Sequence, residues 1–501
     1  MTGPSSYRTI LRSSSIIGGA QVINIAVGLV KIKFVAVLLG PAGVGLLGLY
    51  LILIQTASSI AALGIGSVGT RQIASAHALG GDEAVGRTRR ALFWGTMALA
   101  LIGAVIFFLS SGLIARMIFR DESKTTAVAW LSLGVALTVA AGSQSALLTG
   151  LRRIGDLARI NVGAGILGAT LGVVALWLWG AQGLIAMVVL APLTSFLLGH
   201  LYVSRLGPPA GPNARFPEML SEWKTMATLG FAIMLSGLVS TSSNLAVRTL
   251  VQHDLGSEGM GQFQAAWTIG MTYLGFVLAA MATDYYPRLS ATINDHASAT
   301  RLVNEQTEVA LLLFAPALLA MLGLAPWVIQ LLYSAEFGSA VDVLRWQLLG
   351  DILKVMSWPL GFVLLAKGAG KTFVAIESIG ASVFVLGVVV LLPIMGVSAT
   401  GVAFLALYVA YLPLVWWLAS RAIRFRWTRA VKIQGLALIS AALTIMIAAY
   451  WREIAGAVLG ITLAAAAALW ALLRLSEMSG AGGKLRSVVL IGKQVRRWII
   501  R

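Results

Sequence analysis

Lys31, Arg248 and Lys354 each sit well inside an otherwise apolar stretch of this 501-residue chain. A charge at the centre of a bilayer is costly unless it faces a partner or a water-filled cavity, so these cations point to a solvated, electropositive interior that attracts anions. Helical spacing extends two of them into polar stripes. Gln21, Asn24, Gly28 and Lys31 recur at three, four and three residues, and Gly237, Thr241, Asn244 and Arg248 at four, three and four. Each set shares one helix face and ends in a cation. A cation in this setting either snorkels outward, tightens packing, or faces a cavity. The agreement between the two stripes favours the cavity. Lys33 lies about 200° around the helix from Lys31 and cannot share its face, so it is expected to face a neighbouring helix or to snorkel.

A third stripe, Gln347, Asp351, Lys354 and Trp358, places a carboxylate and an ammonium on one helix face. The pair either neutralises itself or titrates, linking proton movement to substrate movement. Glu377 is a second candidate carboxylate for ion coupling. Arg71 and Arg288, just past apolar runs, are candidates for first capture of an anion at the inner leaflet, although basic loop residues also serve orientation and lipid contact alone.

These residues are carried by fourteen apolar segments, each long enough to cross the hydrocarbon layer as a helix. They run near 14–39, 46–66, 91–115, 125–149, 160–180 and 183–203, then 225–250, 262–285, 307–333, 343–366, 373–393 and 399–420, with a last pair near 433–450 and 454–473. The composition agrees, at 58% hydrophobic and 11% charged. The expected fold is an all-α polytopic membrane protein of about fourteen transmembrane helices. Its parts are a first lobe at 1–204, a linker at 205–224, a second lobe at 225–421, a helix pair at 422–474 and a basic amphipathic tail at 475–501. The polar stretches 67–90, 204–224 and 286–304 are read as loops.

A net charge of +18 suggests nucleic acid until its placement is considered. Basic residues gather on alternate loops: Arg87, Arg89 and Arg90, then Arg152, Arg153 and Arg159, then Arg421, Arg424, Arg426 and Arg429. The intervening loops hold only Arg116, Arg120, Lys124 and Arg452 as cations, with Asp254, Glu258 and Glu336 making others acidic. Under the positive-inside rule this sets topology, with both termini cytoplasmic and no nucleic-acid partner. There is no cysteine, hence no disulfide or thiolate metal site, and the four histidines are scattered, so no metal or cofactor is expected. Gly368-Ala369-Gly370-Lys371-Thr372 imitates a phosphate-binding loop but lacks its first glycine and joins two apolar helices.

The halves also repeat. Leu39-Gly40-Pro41-Ala42-Gly43-Val44-Gly45 returns 216 residues on as Leu255-Gly256-Ser257-Glu258-Gly259-Met260-Gly261. Arg71 corresponds to Arg288 and Gly183 to Gly401 at nearly the same shift. Six spans per half is an even number, which predicts two parallel six-helix repeats with the binding site between them.

The opening, Ser15-Ile16-Ile17-Gly18-Gly19-Ala20-Gln21-Val22-Ile23-Asn24 with Lys31-Ile32-Lys33, the Leu39–Gly45 motif, Gly64-Ile65-Gly66 and Arg71-Gln72-Ile73-Ala74, resembles the O-antigen translocases. These are polysaccharide flippases of the superfamily that also holds the MATE drug exporters and lipid II flippases. The resemblance implies a V-shaped bundle working by alternating access in the bacterial cytoplasmic (inner) membrane. It also implies an undecaprenyl-diphosphate-linked oligosaccharide as substrate, carried from the cytoplasmic to the periplasmic leaflet. Lys31 and Arg248 would then meet the diphosphate, with Gln21, Asn24, Thr241, Asn244 and Lys354 lining the same central cavity. Membrane lipids, H+ or Na+ as coupling ion, and other polysaccharide-assembly proteins are the implied partners. Two other functions stand beside this one. A MATE-type multidrug or cation antiporter would have its cationic cargo repelled by Lys31 and Arg248. A membrane polymerase or ligase calls for catalytic residues in a sizeable outer loop, and the predicted outer loops are short.

Overall fold

The computed structural model describes residues 4–211 and 216–478. Most of the basic tail predicted from residue 475 lies outside the described residues. Every regular element among them is helical: α1 (Pro4–Ala61), α2 (Ile65–Leu79), α3 (Gly81–Leu109), α4 (Ser111–Ile114), α5 (Thr125–Gly150), α6 (Ile154–Trp179), α7 (Gly183–Ser204), α8 (Phe216–Thr292), α9 (His296–Gly323), α10 (Ala325–Leu332), α11 (Ala340–Ala366), α12 (Gly370–Met395), α13 (Ser398–Ile423), α14 (Arg429–Trp451) and α15 (Glu453–Met478).

Among the described residues ten helices are long and apolar enough to cross a membrane, or eleven counting the bent pair Gly237–Ala279 and Asp284–Thr292. The count differs from fourteen because some stretches carry two predicted segments each. Gly18–Ala61 is a 44-residue run broken at Gly40, and Ile154–Ser204 takes in both α6 and α7 within 51 residues. Large apolar side chains face outward on several of these helices: Leu109, Trp177, Leu331 and Ile394 are between 74% and 77% exposed. Such a surface suits hydrocarbon rather than water, and the chain is a multi-pass membrane protein.

The polar stretches predicted as loops are largely helical. Residues 67–90 form most of α2 and the start of α3, and α8 begins at Phe216, inside the predicted linker. The reason lies in spacing that the polar content hides. Ile65, Val68, Gly69 and Ile73 recur on one face of α2 and are buried, while Arg71 on the opposite face is exposed. Conversely, the predicted span 307–333 is interrupted at Leu324, between α9 and α10.

Two compact units divide the chain. One takes the residues up to Gln264 with Leu332–Glu336, and the other takes Ala265–Leu331 with the chain from Phe337 onward. In the first, Ile65, Ile73, Leu92, Leu147 and Met226 form a buried cluster joining α2, α3, α5 and the start of α8. In the second, Tyr285, Leu289, Val363, Val415 and Phe425 are the centre of a larger one.

The repeated glycine motif bends both long helices in the same way. Gly40 breaks α1 at φ 60°, ψ −162°, and Gly256 breaks α8 at φ 65°, ψ −169°. This region of backbone space is essentially closed to side-chain-bearing residues, so glycine is required at both breaks. Three residues on, Gly43 leaves room for the Leu39 side chain and Gly259 for that of Leu255. Both bends lie within the first unit.

Several basic residues assigned to topology also hold the chain's own backbone. Arg89 donates from Nη1 to the Gly207 carbonyl at 2.8 Å, and Arg90 from Nη2 to those of Pro209 and Gly211, each at 2.7 Å. Trp223 Nε1 donates to the Ala91 carbonyl at 2.7 Å. Together they fasten both sides of the predicted linker to α3.

Candidate functional site

The first stripe lies on α1 before its bend. Gln21 is exposed, and Asn24 is half-buried with its side chain against Gly165 of α6. Lys31 is half-buried one further turn-pair along, and among the described residues no hydrogen-bond or ion-pair partner meets its amine. Lys33 turns elsewhere, as its angle requires, and donates to the Tyr333 carbonyl at 2.5 Å. Tyr333 belongs to the short Leu332–Glu336 segment of the same unit.

The second stripe, on α8, is more tightly organised. Thr241 donates to the Gly237 carbonyl at 3.1 Å, and Asn244 Nδ2 donates to the Ser240 carbonyl at 2.9 Å. That leaves the Asn244 side-chain oxygen to accept from Arg248 Nη1 at 3.2 Å. The bend at Gly256 brings a later residue of the same helix back to the cation: Arg248 Nε donates to Gln264 Oε1 at 3.3 Å. The guanidinium also lies 5.4 Å from the Phe263 ring centroid. Arg248 is 5% exposed, so this is a buried cation oriented by two amide oxygens and an aromatic face. Gln264 itself packs under Gly48 of α1, where an added Cβ would lie 2.5 Å from its side-chain oxygen. Gln264 is absent from the sequence reading. Its role depends on a bend that places residues 16 apart side by side, which helical periodicity alone does not reveal.

Lys354, Asp351 and Glu377 belong to the second unit. The simple ion pair expected from the spacing of Asp351 and Lys354 does not form. Asp351 is 1% exposed, and neither carboxylate oxygen has a hydrogen-bond partner among the described residues. Lys354 instead directs its amine to Met271 Sδ at 3.4 Å, with the Phe404 and Tyr408 ring centroids 5.6 and 5.8 Å away. The ammonium is thus seated against two aromatic faces and a thioether. Glu377 accepts from the Tyr411 hydroxyl at 2.6 Å. Gln347 is buried against Gly270, and Trp358 stacks on Tyr285 at 5.9 Å, so the ends of this stripe are packing positions. Of the loop candidates, Arg71 is exposed and Arg288 pairs with Asp284 at 3.0 Å.

The sequence reading also missed a buried polar junction in the second unit. Glu308 of α9 is 8% exposed and accepts from Arg474 Nε of α15 at 2.9 Å and from Gln434 Nε2 of α14 at 3.4 Å. A carboxylate just inside an apolar run was the available signal, but its partners are 126 and 166 residues away.

The chain is similar to named flippases over 81% of its length. It is 26% identical to the lipid III flippase of Escherichia coli (strain K12) over 424 residues, covering 81% of this chain and 97% of that protein. The lipid III flippase of Shigella flexneri matches equally. Among solved structures, lipid II flippase MurJ in its inward closed conformation superposes with a TM-score of 0.70 at 12% identity, covering 91% of this chain and 98% of that one. An inward-facing MATE family transporter of the MOP superfamily gives 0.62 at 15% identity, covering 82% and 99%. These two establish the fold. A model of the family described as polysaccharide biosynthesis protein matches residues 34–342, well over half of the sequence, and the chain belongs to that family.

Proposed function

We propose that this protein is a flippase for an undecaprenyl-diphosphate-linked oligosaccharide, an O-antigen or related polysaccharide unit. It works by alternating access in the bacterial inner membrane, from the cytoplasmic to the periplasmic leaflet, with both termini cytoplasmic. The observation that carries this reading is Lys31, an ammonium inside an apolar helix for which no partner exists among the described residues. A cation so placed calls for an anion from outside the protein. A diphosphate bearing sugars cannot cross hydrocarbon unaided, because its charges and hydroxyls would lose water without replacement. Arg248 is the second cation of the site, with Gln21, Asn24, Thr241, Asn244 and Lys354 as polar neighbours of the passing headgroup. Similarity to lipid III flippases over 97% of their length supports the same class of substrate.

Asp351 is our candidate for coupling to H+ or Na+, since a buried carboxylate without hydrogen bonds is held ready to take up a cation; Glu377 is the second candidate. Arg71 and Arg288 are assigned to first contact with the diphosphate at the cytoplasmic leaflet. The functional division follows the two repeats, 1–204 and 225–421, with the pair at 422–474 added to them.

The test is reconstitution. Vesicles containing the purified full chain and a fluorescent undecaprenyl-diphosphate oligosaccharide in one leaflet should show protein-dependent transfer to the other. Absence of transfer, with export of a cationic dye instead, would establish the multidrug reading in its place.

A further inference from the structure

The link between α13 and α14 is short and strongly basic. Arg421, Arg424, Arg426, Arg429 and Lys432 fall within it or just beside it, and the sequence holds no carboxylate between Glu377 and Glu453. All five residues are exposed. Among the described residues none of the five side chains meets a carboxylate or a hydrogen-bond acceptor. Arg421 lies flat on an indole instead, with its guanidinium carbon 4.0 Å from the Trp417 ring centroid. Elsewhere arginines are neutralised from within: Arg153 and Arg159 by Asp156, Arg288 by Asp284, and Arg474 by Glu308.

The backbone that carries these cations is fixed from α9 and α13. Asn304 Nδ2 donates to the Arg426 carbonyl at 3.1 Å, and Asn304 Oδ1 accepts from the Thr428 backbone N–H at 2.8 Å. The Ser420 hydroxyl donates to the Phe425 carbonyl at 3.0 Å. Ile423 and Phe425 are buried in the core of the second unit, so Arg424 and Arg426, which alternate with them, both face out. Arg424 ends α13 at φ 55°, a left-handed position that glycine usually fills. The link therefore holds one shape and presents guanidinium groups from it.

Its level in the membrane follows from its length. α13 and α14 are each long and apolar enough to span, and only residues 424–428 join them. Five residues reach about 18 Å at full extension, and these are pinned to the helix ends, so the charges stay at the bilayer surface. Lipid-facing side chains begin within a turn of them along the chain: Trp416 and Trp417 before, Ile433 and Leu436 after, all exposed. A free phosphate or an acidic peptide would match the charge alone. A phospholipid matches the charge with its headgroup and the apolar margin with its acyl chains, and indole rings favour that same depth. Guanidinium groups pair with phosphate oxygens in bidentate fashion. We propose that the α13–α14 link is a binding site for an anionic phospholipid of the surrounding bilayer, its phosphate held by Arg424, Arg426 and Arg429. The site is separate from the Lys31 and Arg248 stripes and independent of what the protein carries. On the topology proposed above, the lipid belongs to the cytoplasmic leaflet.

Native mass spectrometry of the purified full chain in detergent tests this, with phosphatidylglycerol and phosphatidylcholine of identical chains as probes. Wild type should retain the anionic lipid in preference to the zwitterionic one. Arg424→Gln with Arg426→Gln and Arg429→Gln should weaken that retention about 100-fold. The variant should melt as wild type does in lipid-free detergent, since these side chains make no internal bond. Lysine at the same three positions keeps the charge and should restore most of the binding. Equal weakening by Arg87→Gln with Lys367→Gln and Lys371→Gln, three exposed cations elsewhere, would reduce the effect to diffuse charge and overturn the site. Displacement of phosphatidylglycerol by millimolar inorganic phosphate would overturn it too, by making a free anion the occupant. So would a preference for undecaprenyl diphosphate lost in the glutamine triple variant, which would assign the link to the transported lipid.

Discussion

Gly45 packs directly on the backbone of Gly261: a Cβ added to Gly45 would lie 2.8 Å from the Gly261 nitrogen. The contact is mutual, because a Cβ on Gly261 would lie 2.8 Å from Pro41 Cα and run into the Pro41 carbonyl. The two copies of the repeated motif therefore touch each other as well as sharing a backbone bend. Small residues permit this approach, as in other close helix contacts within membranes.

Gly256→Ala separates backbone strain from crowding. Space is open around this position, but its φ and ψ are closed to alanine, so the substitution should destabilise by about 1–3 kcal/mol. Gly45→Ala has ordinary helical surroundings and should lose a similar amount through the clash alone. Thermal unfolding in detergent reads both. An unchanged melting temperature in Gly256→Ala would mean that the bend is not held in solution.

Lys31→Ala and Arg248→Ala should each lower transport of the diphosphate-linked probe about 10- to 100-fold, the scale of one lost charge-assisted hydrogen bond. Abundance in the membrane should not change for Lys31→Ala, whose amine supports no internal partner. Arg248→Gln serves as the second control, since it keeps a polar group near Asn244 and Gln264. Normal surface polymer with both cations removed would rule out their role.

Asp351→Asn keeps the shape of a buried side chain and removes its capacity for charge. Transport driven by an imposed H+ or Na+ gradient should fall to the level seen without one, while downhill transfer continues. Undiminished gradient dependence would assign Asp351 to packing and leave Glu377, bonded to Tyr411, as the group to test next.

Arg474→Ala removes the main partner of the Glu308 carboxylate. A stability loss of about 1–3 kcal/mol is expected, kept modest because the arginine side chain is 39% exposed. Adding Glu308→Gln should restore part of that loss, since the stranded charge is then gone. Circular dichroism melts of the three variants decide it. A double variant worse than Arg474→Ala alone would contradict the pairing.

Asp295 caps α9, accepting from the backbone of Ala297 and Ser298 at 3.0 and 3.3 Å and from the Ser298 hydroxyl at 2.6 Å. The Ser298 bonds, first among these, hold its carboxyl below the usual carboxylate range. A depressed folded-state value means the cap contributes fully above the ordinary carboxylate range and is lost as pH falls through the lowered one. The melting-temperature gap between wild type and Asp295→Ala should therefore be constant near neutrality and close in acid. A gap independent of pH would point away from the carboxylate.

What the sequence disclosed follows from which forces are local. Apolar run length located the helices, and a 200° rotation sent Lys33 away from Lys31 and toward Tyr333. The repeated glycine motif was legible as a repeat, but the shared bend was not, because it arises from the backbone conformation of Gly40 and Gly256 alone. Contacts made by folding the chain back were hidden: Gln264 beside Arg248, Arg474 on Glu308, and the thioether and rings around Lys354. The polar stretch 67–90 misled because a helix with one buried face reads as a loop when only its average polarity is weighed.

The polypeptide passes from one compact unit to the other three times, at Gln264–Ala265, Leu331–Leu332 and Glu336–Phe337. Peptide bonds neither stretch nor twist appreciably, so the backbone freedom at each crossing is confined to the φ and ψ angles of the residues beside it. Two of them bracket a five-residue strap tethered by Lys33 at Tyr333 and by Gln262 at Glu336. Removing either tether, as Lys33→Met or Gln262→Leu, should loosen the strap and raise its amide hydrogen exchange, and unchanged exchange in both would show that the tethers do not hold it.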